Sequence, residues 1–176
     1  HRDGSGNQAY FNRPTDVAVD SQNNLYIADQ GNHRIRKINP QGNVTTLAGT
    51  GQAGFGDGPS HLAQFSSPLG IAVDSKGNVY VADSQNHRIR KIDIQGNAIT
   101  LAGSGKSGHQ DGSGNQAQFN DPRGIAVDSK GNIYVAEHGS HRIRKINPQG
   151  YVTTLAGTVL PGYKDGLANQ SQFKSP

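Results

Sequence analysis

Cysteine, methionine and tryptophan are absent from this chain of 176 residues, and aromatic residues make up only 6% of it. Without cysteine there can be no disulfide framework and no thiolate metal site. That absence also leaves the compartment open, with the extracytoplasmic side slightly favoured. No stretch approaches the ~18 consecutive apolar residues of a membrane-spanning helix, so no membrane is expected among the partners. Ala, Glu, Lys and Leu do not dominate, which argues against a coiled coil, and no segment carries helical periodicity. Glycine is plentiful, at 24 residues with 8 prolines, and short runs of Val, Ile, Tyr and Thr of strand character lie between them. A hydrophobic fraction of 32% and a mean hydropathy of −0.69 are thin for a lone globule. Part of the core is therefore expected to be shared with another chain.

The runs repeat. His33-Arg34-Ile35-Arg36-Lys37-Ile38 returns at 87–92 and at 141–146, 54 residues apart each time. Asp3, Asp57, Asp111 and Asp165, each followed by glycine, keep the same step, as do Phe11, Phe65, Phe119 and Phe173, and Pro14, Pro68, Pro122 and Pro176. The chain reads as one domain, with a lead-in at 1–14 and repeats at 15–68, 69–122 and 123–176. The last repeat ends in a second copy of the lead-in, 163–176. Aligned without gaps, the second and third repeats share 32 of 54 residues, a closeness that points to recent duplication or to design.

In the second repeat, Gly70 to Asp74 is a short β-prone run and Ser75 to Asn78 a hairpin turn with glycine at its tip. Val79 to Ala82, Arg88 to Ile92 and Ala98 to Ala102 follow as strands, separated by polar turns. Four antiparallel strands per repeat is the blade of a β-propeller. The expected fold is all-β, with three four-stranded blades. The innermost strands are expected at Asp16–Asp20, Gly70–Asp74 and Gly124–Asp128, and the core at Val17, Val19, Tyr26, Ile27, Ile35, Leu47 and their copies.

The string Pro-x-Gly-Ile-Ala-Val-Asp-Ser-x-Gly-Asn-x-Tyr-Val-Ala-Asp-x-x-Asn-His-Arg-Ile-Arg-Lys-Ile resembles the NHL repeat. The family's Asn-His-Leu motif reads here Asn32-His33-Arg34, Asn86-His87-Arg88 and Ser140-His141-Arg142. The resemblance implies a propeller usually of six blades, of which three are half a ring. It also admits two other activities: RNA binding, as in some eukaryotic NHL propellers, and the chemistry of related six-bladed lactonases and an amidating lyase, which are metal-dependent.

Meander topology puts the turns after the second strands on one face, here the upper face, together with the long loops between repeats. Asp29, Asp83 and Glu137 end the second strands there, Asn32 and Asn86 follow in the turns, and His33, His87 and His141 open the third strands. These are the candidate ligand-binding residues. As a ring of carboxylates and imidazoles they suit a polar ligand or a metal; as structural groups they cap turns and pack between blades. Residues repeated in every blade ordinarily serve the blade, and equivalent positions lie too far apart for one ion, so no metal site and no cofactor is expected. The third strands carry a basic stripe: Arg34, Arg36, Lys37, Arg88, Arg90, Lys91, Arg142, Arg144 and Lys145. Without these nine, 8 cations face 13 anions. The stripe suits phosphate or pairing between blades. RNA recognition also needs exposed stacking aromatics, and most of the 6 Tyr and 5 Phe fall on the 54-residue step of structural positions, so nucleic acid is not the expected partner.

An active site needs unlike groups converging, and the repeats depart from one another little: Asp16 stands where Gly70 and Gly124 recur, Glu137-His138 form an unmatched pair, and Phe55, His109 and Tyr163 vary. The expectation is a non-enzymatic binding or assembly scaffold with no catalytic residues. Its partner is a second copy of itself in a homodimer that closes a six-bladed ring, with protein or peptide ligands besides; the alternative is that these three blades are part of a longer single-chain propeller. At the seam the two lead-ins compete, and 1–14 is expected to stay because it is continuous with the strand it serves.

Overall fold

The structure, a computed structural model, describes residues 1–176. Its hairpins follow from turn chemistry. At the first turn of each repeat, one carboxylate oxygen of Asp20, Asp74 or Asp128 accepts the backbone N–H groups two and four residues ahead. The other oxygen accepts the amide of Asn24, Asn78 or Asn132 and the hydroxyl of Tyr26, Tyr80 or Tyr134. A left-handed residue closes each turn: Gly77 and Gly131 at φ 85° and 81°, and Asn23 at φ 62° in the first repeat. Asparagine is the side chain that best tolerates that region.

Each repeat forms one antiparallel sheet. In the first, β1 (Gly4–Ser5), β2 (Pro14–Val19), β3 (Leu25–Asp29), β4 (Arg34–Ile38) and β5 (Asn43–Ala48) lie in the order β1-β5-β4-β3-β2. The second contains β6 (Gly58–Pro59), β7 (Pro68–Val73), β8 (Val79–Asp83), β9 (Arg88–Ile92) and β10 (Asn97–Ala102). The third contains β11 (Gly112–Ser113), β12 (Pro122–Val127), β13 (Ile133–Glu137), β14 (Arg142–Ile146) and β15 (Tyr151–Ala156), in the same spatial order.

Three details differ from the sequence expectation. The innermost strands β2, β7 and β12 begin at the proline, two residues early. Each blade has a fifth, two-residue strand, where the Asp-Gly lead-in pairs with the outermost edge; so short a segment has no periodicity to read. Single 3-10 turns stand at Gln30–Asn32 and Ser84–Asn86.

The core lies between blades. Tyr26, Ala28, Ile35 and Ala48 of the first blade, with Ala63 and Phe65 of the next lead-in, pack on Ile71, Val79, Val81, Ile92 and Ala98 of the second. The copies repeat the arrangement one blade on. A column of alanines on the trailing face gives room to branched side chains on the leading face, and each buried Ile, Val or Phe contributes roughly 1.5–3 kcal/mol. A register shift in β10 and β15, as in β5, falls at Leu101, Leu155 and Leu47. Leu47 and Leu101 pack against these clusters.

Val17 and Val19 are not core, contrary to the pattern. They are 57% and 58% exposed, while Ile71, the copy of Val17, is 3% exposed. They lie on the leading face of the first blade, which has no blade in front of it. On the trailing face of the third blade Leu155 is likewise exposed.

Candidate functional site

The upper face is built from the turns after β3, β8 and β13 and from the lead-ins. Asp29, Asp83 and Glu137 are fully buried there. Asp83 accepts the Ser66 N–H at 2.7 Å, the Asn86 amide at 2.8 Å and Arg90 Nη1 at 2.9 Å. Asp29 does the same with Asn12, Asn32 and Arg36. Glu137 reaches Asn120, Ser140 and Arg144. The longer acid is matched by the shorter Ser140 in place of asparagine, which keeps the same geometry. Burial pushes the Asp83 carboxyl above its ordinary value, against the pull of Asn86, Ser66 and Arg90.

His33, His87 and His141 each adopt the left-handed conformation, at φ 52°, 51° and 59°. The Nδ1 of each accepts a backbone N–H from the next lead-in: Ser67 at 3.1 Å, Asp121 at 3.3 Å and Ser175 at 3.0 Å. The histidines therefore pin one blade to the entry of the next.

The nine cations of the stripe part into three sets. Arg36, Arg90 and Arg144 are fully buried. Each joins the acid of its own blade to the lead-in: Arg36 donates to the Arg2 and Tyr10 carbonyls and to Asp3 at 2.6 Å. Each also lies about 5 Å from a phenylalanine ring centroid, Phe11, Phe65 or Phe119. Arg34 and Arg88 donate to loop carbonyls, Thr50 at 2.6 Å and Ser104 at 3.0 Å, and Arg88 stacks on Phe55; Arg142, the third copy, is half-buried. Lys37, Lys91 and Lys145 sit over the turn tyrosines. The candidates thus fall into one repeated acid–Arg–lead-in unit per blade. No three His, Asp or Glu side chains converge in the way a metal ion needs.

Asp16, the asymmetric carboxylate, accepts the Ile71 N–H at 2.9 Å and its neighbour's at 2.8 Å. A cluster of which the sequence singled out only His138 lies at the entry to β12: Asp121 takes Arg123 at 2.8 Å and His138 Nδ1 at 3.2 Å. Its signal was departure from the repeat, since Ser67 and Leu69 stand at the positions of Asp121 and Arg123 one blade earlier. On the opposite face, grooves of about 460 and 320 Å³ run between adjacent blades, the larger lined by Tyr26, Lys37, Lys76 and Ile94 among others.

Antiparallel meanders stacked face to face, pinned by a histidine at each junction, define an NHL-repeat β-propeller. Residues 3–158 match the SMP-30/Gluconolactonase/LRE-like region, and the chain belongs to that family. It is 32% identical to NHL repeat-containing protein 2 of Gallus gallus over 97% of its own length and 27% of the relative's. A structure of a Bacteroides thetaiotaomicron protein of unknown function superposes with TM-score 0.75 at 25% identity, over 94% of this chain and 41% of that one. A gluconolactonase from Xanthomonas campestris superposes with TM-score 0.63 at 16% identity, over 83% and 48%. The chain thus spans less than half the length of each of these proteins. No helix is long and apolar enough to cross a membrane.

Proposed function

We propose that the chain is a non-enzymatic assembly and binding module, a half-propeller that pairs with a second copy to close a six-bladed ring. The observation that carries this reading is the pair of open faces. Val17 and Val19 on the leading face and Tyr134, Ile143 and Leu155 on the trailing face are copies of residues that interlock at both junctions inside the chain. Monomers rarely leave such patches bare. A twofold axis joins both faces at two equivalent seams. The absence of catalysis is supported by the acids, whose oxygens are occupied by arginine, turn amides and backbone N–H groups.

Light scattering after size exclusion tests the reading. A mass of twice 18.6 kDa is expected. A chain that stays monomeric at high concentration overturns the homodimer and leaves the faces to other blades or partners. The family match favours a second reading, a metal-dependent hydrolase. It would be supported by lactone hydrolysis that a divalent cation restores after chelation.

A further inference from the structure

The chain has four lead-in segments and three blade edges to receive them. An interior lead-in is held at two ends. At its tip, an aspartate grips the arginine and outer strand of the blade it serves: Asp57 binds Arg90 at 2.7 Å and Thr100 at 3.2 Å, and Asp111 binds Arg144 and the Thr154 N–H. At its root it bonds to the loop leaving the preceding blade, through Gly49 N–H to Ser60 carbonyl, Thr50 to Ala63 and Gly54 to Phe65. The root places Phe65 and Phe119 between two blades, where both are fully buried.

The two outer copies each have one half of this. Segment 1–14 has the tip without the root: Asp3 binds Arg36 at 2.6 Å and the Thr46 N–H at 3.0 Å, while Phe11 is only half-buried. Segment 163–176 has the root without the tip. Gly157 bonds to Ala168, Thr158 to Ser171, Gly162 to Phe173 and Ser175 to His141 Nδ1, as in the interior copies. Asp165 is exposed and makes no hydrogen bond or ion pair.

We propose that when two copies close the ring, segment 163–176 of one takes Arg36 and Thr46 of the other and displaces that chain's own 1–14. This rests on the homodimer reading. A closed seam resembles an interior junction, which has one receptor and one phenylalanine slot, so Phe11 and Phe173 cannot both be seated. The contact to Arg36 is chemically the same for either aspartate and does not decide between them. The root does: 163–176 is already ordered in the receiving geometry and gains the tip at little further entropic cost. Segment 1–14 has no root to gain, because the preceding loop is occupied by its own chain's lead-in. Both segments are tethered to their blades by a few residues, so tethering favours neither. Continuity with β2, the sequence-level argument for keeping 1–14, is thereby outweighed.

The test uses the full chain with Asp165→Asn and Asp3→Asn. Asp165→Asn should leave the monomer's melting unchanged, since the carboxylate touches nothing, and weaken the dimer about tenfold or more, because the fully buried Arg36 then loses one of its two charged partners and keeps only Asp29. Asp3→Asn weakens the competing segment in the free chain and should tighten the dimer by a comparable factor. Hydrogen exchange gives the independent reading. On dimerisation the amides of Ala9 and Tyr10, bonded to Ser5 and Arg2 in the free chain, should exchange faster. Those of Lys164 and Gln172 should exchange more slowly. A dimer that Asp165→Asn does not weaken, or in which 1–14 gains protection, overturns the exchange while leaving the ring. A wild-type chain that never dimerises overturns both.

Discussion

Arg36, Arg90 and Arg144 show how one residue per blade ties distant segments together. Each guanidinium joins a turn acid, two lead-in carbonyls and a lead-in aspartate. A buried pair of this kind gives geometric definition more than net stability, but removing one partner strands the other. The turn carboxylates have a different consequence. The Asn132 side chain above all pulls Asp128 down to about 2; desolvation opposes it, and backbone and Tyr134 bonds add to the lowering. In Asp20 and Asp74 burial works upward, but the asparagine, backbone and tyrosine bonds outweigh it and the carboxyls stay low. These groups bind fewer protons folded than unfolded. Their stabilisation is therefore complete above the unfolded value of ~3.9 and drains away as pH falls through their lowered folded values, about 2 for Asp128. Tyr26 and Tyr80 are pushed up to about 12, by burial and then by Asp20 and Asp74. Their stabilisation is complete below ~10 and lost as pH rises through about 12. Melting temperature against pH, followed by circular dichroism, should show a plateau between an acid and an alkaline limb. Asp74→Asn should shrink the acid limb.

Among the elements, the lead-in turns a four-stranded meander into a blade that can stack. It adds a fifth strand at the edge, gives Ala63 or Ala117 to the junction core and wedges a phenylalanine between two blades. The Phe119 ring is fully buried and lies near Arg144. Phe119→Ala is expected to cost about 3–5 kcal/mol in chemical denaturation, through lost burial and the cavity left behind. Phe11→Ala should cost distinctly less, because that ring is only half-covered. Equal losses for the two would mean that the second blade face contributes nothing to holding the ring.

At the scale of the three blades, the leading face of the first and the trailing face of the third carry copies of the residues that one interior junction buries. If two chains cover these faces, the folded state gains by mass action, and apparent stability depends on protomer concentration. Differential scanning calorimetry across a hundredfold dilution is expected to show the midpoint falling as the protein is diluted. A midpoint independent of concentration, together with a monomeric mass, would place the stability within the single chain.

The sequence by itself determined what is local. The 54-residue step, the aspartate-led turns and the four long strands depend on neighbours a few residues away, and they stand where the pattern put them apart from the two-residue earlier start of the innermost strands. Only the tertiary structure decided what depends on which blade lies opposite. Both faces of a blade carry apolar residues, so Val17 and Ile71 look alike in the sequence, and only the missing neighbour leaves Val17 in solvent. Arg34, Arg36 and Lys37 read as one stripe, yet alternation and the position of the lead-in send Arg36 inside while Lys37 lies over Tyr26. The role of the repeated histidines as pins required the next lead-in to arrive 34 residues later in the chain, at Ser67, Asp121 and Ser175. Burial and pairing across that distance are set by how blades stack, which a linear pattern of residue types does not encode.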